Sequence, residues 1–117
     1  MAMVEARAQA LVVVVDPLIV QYRERVVALA AKSRLPAMYG FREFADAGGL
    51  IAYGVNVPHL CRRAATYVDK IIKGSAPADL PVEQATRFEL IINLKAAKAL
   101  GIEVPASIYV RADEVIE

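Results

Sequence analysis

The chain has 117 residues, enough for one domain with a buried core, and 57% of them are apolar even without counting glycine. Fourteen basic and thirteen acidic side chains leave a net charge of +1, which excludes the field that would hold nucleic acid or an anionic membrane. The single cysteine, Cys61, excludes an internal disulfide.

The first nine residues, MAMVEARAQ, read as a frayed lead-in or the tail of a helix, and they lack the basic-then-apolar layout of a secretory signal. Ala10 to Val15 is the longest apolar run. It falls far short of the ~18 residues of a membrane span, so no direct membrane insertion is expected. Rich in valine and apolar on both faces, it reads as a strand covered by helices on each side. Asp16-Pro17 ends that strand and opens a helix, because Asp caps well and Pro is tolerated at the first helical position. Leu18, Tyr22, Val26 and Leu29 give this helix one apolar stripe, with Arg23, Glu24 and Lys32 facing away, and it ends near Ser33.

The stretch from Tyr39 to Gly54 joins two strand ends through a short helix. Leu35 to Tyr39 reads as a strand, Phe41 to Ala47 as about two helical turns, and Leu50 to Tyr53 as a further strand running the same way. Gly48 suits a helix C-cap and Gly49 an abrupt turn. Three successive strands joined by helices predict an α/β fold, a three-layer parallel sheet with right-handed crossovers and helices on both faces. Ligands in such sheets sit outside the carboxyl ends of the strands, which selects Asp16, Tyr39, Arg42, Glu43, Tyr53 and Gly54 as candidate ligand-binding residues.

From Pro58 a second long helix is expected, with Leu60, Ala64, Tyr67 or Val68, and Ile71 as its buried stripe and Gly74 as its stop. Ser75 to Glu83, with two prolines, reads as an extended surface connection. Phe88 to Asn93 reads as a strand, Leu94 to Leu100 as a helix capped by Gly101, and Ala106 to Ile116 as a final helical stretch. The whole is read as one domain: a βαβαβα unit over 10–74, a crossover over 75–87 and a C-terminal return segment over 88–117.

Each candidate has a plainer reading beside the functional one. Asp16 could receive an amino group or serve only as a cap; Tyr39 and Tyr53 could stack on a ligand or pack. Arg42 and Glu43 could clamp a ligand or stay solvated. No enzyme is expected: His59 is the only histidine, and nothing assembles a nucleophile, a base and an oxyanion site. His59 and Cys61 point to different sides of a helix, so they make a poor metal pair and read as a surface histidine and a packed thiol. Gly49 and Gly54 share the first spacing of a phosphate loop, but Val55 stands where lysine must, and no cofactor is called for.

Two motifs carry a family resemblance: R-E-F-x-x-A-G-G-L-x-x-Y-G over Arg42 to Gly54 and L-P-V-E-Q over Leu80 to Gln84. With the flanking sequence from Val15 onward they closely resemble the C-terminal part of ABC-transporter substrate-binding proteins of the tryptophan/tyrosine type. The resemblance implies the type I periplasmic-binding fold, a two-lobed clam closing on a small solute such as an amino acid and presenting it to an ABC permease. It implies a periplasmic location, with the cytoplasm as the expectation if this chain is a complete product. The family has a first lobe that this chain lacks, and the resemblance places Phe88 onward in that lobe. Phe88 to Leu94 therefore either folds onto its own lobe or pairs with another copy, and a homodimer is expected, exchange of C-terminal segments being one way to form it. Ala52 replaces a common family serine, and Ala85 a common proline. The alternative is a self-associating structural remnant that binds no ligand.

Overall fold

The computed structural model describes residues 2–117. Its elements in order are α1 (Ala2–Glu5), β1 (Leu11–Val13), α2 (Pro17–Gln21), α3 (Arg23–Lys32), β2 (Ala37–Tyr39), α4 (Arg42–Asp46) and β3 (Ile51–Val55). There follow α5 (Val57–Ile72), a 3-10 turn (Pro77–Asp79), β4 (Phe88–Asn93), α6 (Leu94–Leu100), α7 (Ala106–Tyr109) and β5 (Glu114–Ile116). Met1, the first residue of the expected lead-in, lies outside the described residues.

The five strands form one sheet in the order β1-β2-β3-β4-β5. Parallel pairing sets Val12 opposite Met38 and Val13 opposite Tyr39, and then Met38 opposite Ile51 and Tyr39 opposite Ala52. Because successive side chains alternate faces, Val13, Tyr39 and Ala52 share one face, and all three are buried. α3 covers this side with Val27 and Ala30, and α4 with Phe44. The Tyr39 ring stacks on Phe44 with centroids 4.9 Å apart and planes 10° from parallel. On the opposite face Val12, Met38 and Tyr53 are exposed.

The expected α/β sheet is present with one reversal of direction. The Asn93 N–H at the end of β4 donates to the carbonyl of Leu50 just before β3 (2.9 Å). Likewise Asn56 N–H, just after β3, donates to the carbonyl of Arg87 just before β4 (3.4 Å). The end of each strand lies beside the start of the other, so β4 runs antiparallel to β3. β5 then pairs parallel with β4, Ile91 opposite Glu114 and Asn93 opposite Ile116.

Two units cluster within the chain, Met1–Gly54 with Glu89–Glu117, and Val55–Phe88. In the second unit Asn56 caps α5 by accepting from His59 N–H (2.8 Å). The extended segment is pinned to α5 by Tyr67, whose hydroxyl donates to the Pro81 carbonyl (2.6 Å), and by an Arg63–Glu83 ion pair. That pair holds the Glu83 carboxyl below the usual carboxylate range.

Several expectations are corrected. Residues 106–116 are not one helix: α7 spans four residues and the chain then enters β5, since Asp113 and Glu114 find partners across the sheet. The helix after Asp16 breaks at Tyr22 into α2 and α3, and its buried residues are Val27 and Ala30, whereas Leu18, Tyr22 and Leu29 are exposed. This helix is apolar on two sides, so a four-four-three spacing could not choose the inner one. The α5 stripe is exposed or half-buried along its length, with Leu60, Val68 and Ile71 among the exposed apolar side chains. Cys61 is exposed rather than packed. Phe88 to Asn93 joins the chain's own sheet, the first of the two alternatives open to it, with Ile91 and Ile92 fully buried.

Candidate functional site

The carboxyl ends of β1, β2 and β3 meet where two glycines let backbones approach. A Cβ on Gly54 would lie 1.8 Å from the carbonyl oxygen of Gly40, and a Cβ on Gly40 would lie 2.2 Å from Cγ2 of Val15. No larger residue fits at Gly54 without parting the strands, because the obstacle is the Gly40 backbone, whereas at Gly40 the obstacle is a side-chain methyl of Val15 that would have to turn aside. Val15, Gly40 and Gly54 thus draw three strand ends together, which is the place where open α/β sheets hold ligands.

Asp16 stands at this edge as the N-cap of α2. Its Oδ1 accepts from the N–H groups of Leu18 (2.8 Å) and Ile19 (3.4 Å), and Pro17 occupies the first helical position, as its sequence implied. The carboxylate is exposed, and both of these bonds fall on Oδ1. Tyr53, two residues after Ile51 on β3, is 50% exposed. Gly54 follows it directly.

The other three candidates are placed differently. Tyr39 is 2% exposed and stacked under Phe44, so it supports the strand ends from within the core; desolvation raises its phenol pKa. Arg42 opens α4 and donates through Nη1 and Nη2 to the two carboxylate oxygens of Glu114 (2.6 and 2.7 Å), with Asp46 Oδ2 3.4 Å from its Nε. The bidentate bond raises the guanidinium pKa and holds the Glu114 carboxyl below its ordinary range. Glu43 is exposed and does not share this pairing, because adjacent helical residues point to different sides. Arg42, expected with Glu43 either to clamp a ligand or to stay solvated, is thus paired with Glu114 across the fold.

Ala52 sits in a buried cluster with Ala45 and Ile91. A serine here would place its hydroxyl in that cluster, away from the exposed edge, so the Ser-to-Ala departure does not remove a group from the strand-end site. Gly49 is likewise a packing position, since a Cβ there would meet the Tyr39 ring at 2.6 Å and the Phe44 carbonyl oxygen at 2.7 Å. Gly48, at φ +100°, makes the left-handed turn after α4 that the sequence suggested.

Sequence reasoning missed Asn93, which is buried and polar. Its Nδ2 donates to the Ala45 carbonyl (3.3 Å) while its Oδ1 accepts from Ala96 N–H (3.1 Å), tying α4 and the start of α6 to the end of β4. The signal was present, an asparagine directly before a helical run. Among the described residues no group of three or more His, Cys, Asp or Glu is placed to hold a metal ion, and no helix is long and apolar enough to cross a membrane.

Solved structures share this fold. A conserved domain protein from Vibrio cholerae O1 biovar eltor superposes with a TM-score of 0.90 over 97% of this chain and 38% of its own, at 24% identity. The ABC domain from Streptococcus pneumonia in complex with L-Trp gives a TM-score of 0.88 at 27% identity, covering 97% of this chain and 39% of that one. A ligand-free, open substrate-binding protein with adhesive properties from Clostridium difficile gives 0.64 at 25% identity, covering 92% of this chain and 36% of that one. The chain thus spans well under half the length of each. No curated protein matches it. The family described as ABC transporter substrate binding protein matches residues 1–116, and the chain belongs to that family.

Proposed function

We propose that this chain is a non-enzymatic solute-binding component of an ABC-type transport system that takes a small solute, of the amino-acid class, at the carboxyl ends of β1–β3. The convergence of those ends on Gly40 and Gly54 carries the reading, because it leaves a rigid backbone floor edged by a carboxylate and a half-exposed aromatic ring. In this reading Asp16 Oδ2 receives the solute's ammonium, the Tyr53 ring covers its side chain, and Gly54 lets the solute approach the backbone. Tyr39 positions the floor from below. Arg42 and Glu43 flank the site, Arg42 through its pairing with Glu114. The related L-Trp complex supports an amino-acid solute. The further parts of the proposal follow the family: an ABC permease as downstream partner and a periplasmic location.

A thermal-shift series with aromatic and branched amino acids tests it. A solute present at ~100 times its Kd adds about 2.7 kcal/mol of stability, a rise of several degrees in Tm. Asp16→Asn should abolish that rise while leaving the unliganded Tm within a few degrees. Flat curves across the panel would instead favour a structural remnant without a ligand.

We further propose that the chain self-associates as a homodimer. Large apolar side chains such as Val12, Val14, Ile72 and Val110 stand exposed, and burying such surface against a second copy is the driving force this part of the proposal invokes. Light scattering that finds a monodisperse monomer at micromolar concentration would defeat this part.

A further inference from the structure

We propose that two copies of this chain exchange their C-terminal arms, residues 102–117, so that β5 of one copy completes the sheet of the other beside β4. The inference rests on the self-association reading and adds which segment moves and what receives it.

Between its root, where Ile102 N–H donates to the Ala97 carbonyl (2.9 Å), and its tip, the arm buries little. From Gly101, in a left-handed turn at φ +72°, to Ala112 each residue is exposed or half-buried, and Tyr109 and Val110 carry apolar side chains into solvent. Elements that bury little open locally at low cost. Residues 102–113 can extend roughly 40 Å at about 3.3 Å per residue, ample to reach a neighbouring copy.

The tip, in contrast, is held by specific contacts, and all its partners lie in the body of the fold. Three ladder positions join β5 to β4. Asp113 N–H donates to the Leu90 carbonyl (2.8 Å), and Asp113 Oδ2 accepts from Leu90 N–H (2.8 Å). Arg42 grips both oxygens of Glu114, and Ile116 packs on the cluster of Ala45, Ala52 and Ile91. None of these partners belongs to the arm, so a second copy's arm makes the same set without change. Opening the arm uncovers the backbone edge of β4 beside fully buried Ile91 and Ile92, an edge that demands a strand. An unrelated strand lacks the Asp-Glu-x-Ile order that Leu90, Arg42 and the apolar cluster select. A second copy carries it by construction. Exchange therefore costs little beyond association itself.

Complementary charge variants test the exchange. R42E alone sets a second carboxylate against Glu114, and E114R alone sets a second guanidinium against Arg42. In either variant the like charges meet whether the arm is closed on its own chain or exchanged between identical copies. Only an exchanged dimer of one R42E chain with one E114R chain separates the like charges, because each arm then meets the other chain's anchor: opposite charges at one anchor's native pair and at the reversed pair of the other. Co-refolding the two, one isotopically labelled, should give by native mass spectrometry heterodimer in about five-fold excess over either homodimer, against the two-fold excess of random pairing. The double variant R42E/E114R, whose pairing is restored within one chain, shows by circular dichroism whether the substitutions are tolerated, and it should show no preference for either single variant. Heterodimer at the random ratio, or none, overturns the exchange. If the wild type is dimeric while the mixture pairs at random, self-association stands and the arm is not what is shared; a monomeric wild type removes both.

Discussion

Gly54→Ala asks the most of the strand-end geometry. The new Cβ would sit 1.8 Å from the Gly40 carbonyl oxygen and 2.8 Å from the carbonyl carbon, where ordinary contact begins at 3.4 Å. The obstacle is backbone in mid-sheet rather than a side-chain tip, so β2 and β3 must part by more than an ångström at their carboxyl ends. Overpacking of this kind costs about 1–3 kcal/mol, and the upper half of that range applies where backbone must yield. For a chain of this length a loss of about 2–3 kcal/mol lowers Tm by roughly 10 °C. Urea denaturation followed by circular dichroism measures the loss directly, and amide exchange at Tyr39 and Ala52 reports whether the parting is local. A matched control is Gly101→Ala, whose Cβ would meet nothing within 4 Å and whose cost of about 1 kcal/mol comes only from its φ of +72°. Equal, small losses in both variants would refute the claim that Gly54 is required by close approach.

Phe44→Ala removes a fully buried ring stacked on Tyr39 and should cost about 3–5 kcal/mol by chemical denaturation, while releasing the desolvation that raises the Tyr39 pKa, which a spectrophotometric titration of the phenol would show. Arg34 holds a left-handed backbone, φ +52°, just past the Ser33 cap of α3, so Arg34→Gly should raise stability by up to about 1 kcal/mol in the same assay. The Arg42–Glu114 pair lowers the Glu114 pKa in the folded state, so its contribution is present above the carboxyl's ordinary pKa and is lost as pH falls through the depressed one. Both groups are more than a third exposed, which limits the pair to ~1 kcal/mol or less. The stability difference between the wild type and Glu114→Gln should accordingly shrink toward zero as pH is lowered below about 4, and a difference that grows in acid would reverse the assignment.

Local chemistry was legible in the sequence wherever one or two residues decide it. Asp16-Pro17 opens α2, Gly48 turns the chain after α4, and Gly101 closes α6, each because a cap or a left-handed turn is specified by the residue that makes it. The three parallel strands and the family membership belong to the same level, since alternating apolar runs and a long motif need no knowledge of what lies across the fold. Which of two apolar helix faces is inside, that β4 runs against β3, that Tyr39 is core, and that Arg42 answers to Glu114 seventy-two residues away are decided only when distant segments meet. A strand's direction depends on its neighbours, and a side chain's burial depends on what covers it. Neither is a property of any window of sequence, and so the edge where three strands end was foreseeable while the floor that Gly40 and Gly54 make there was not.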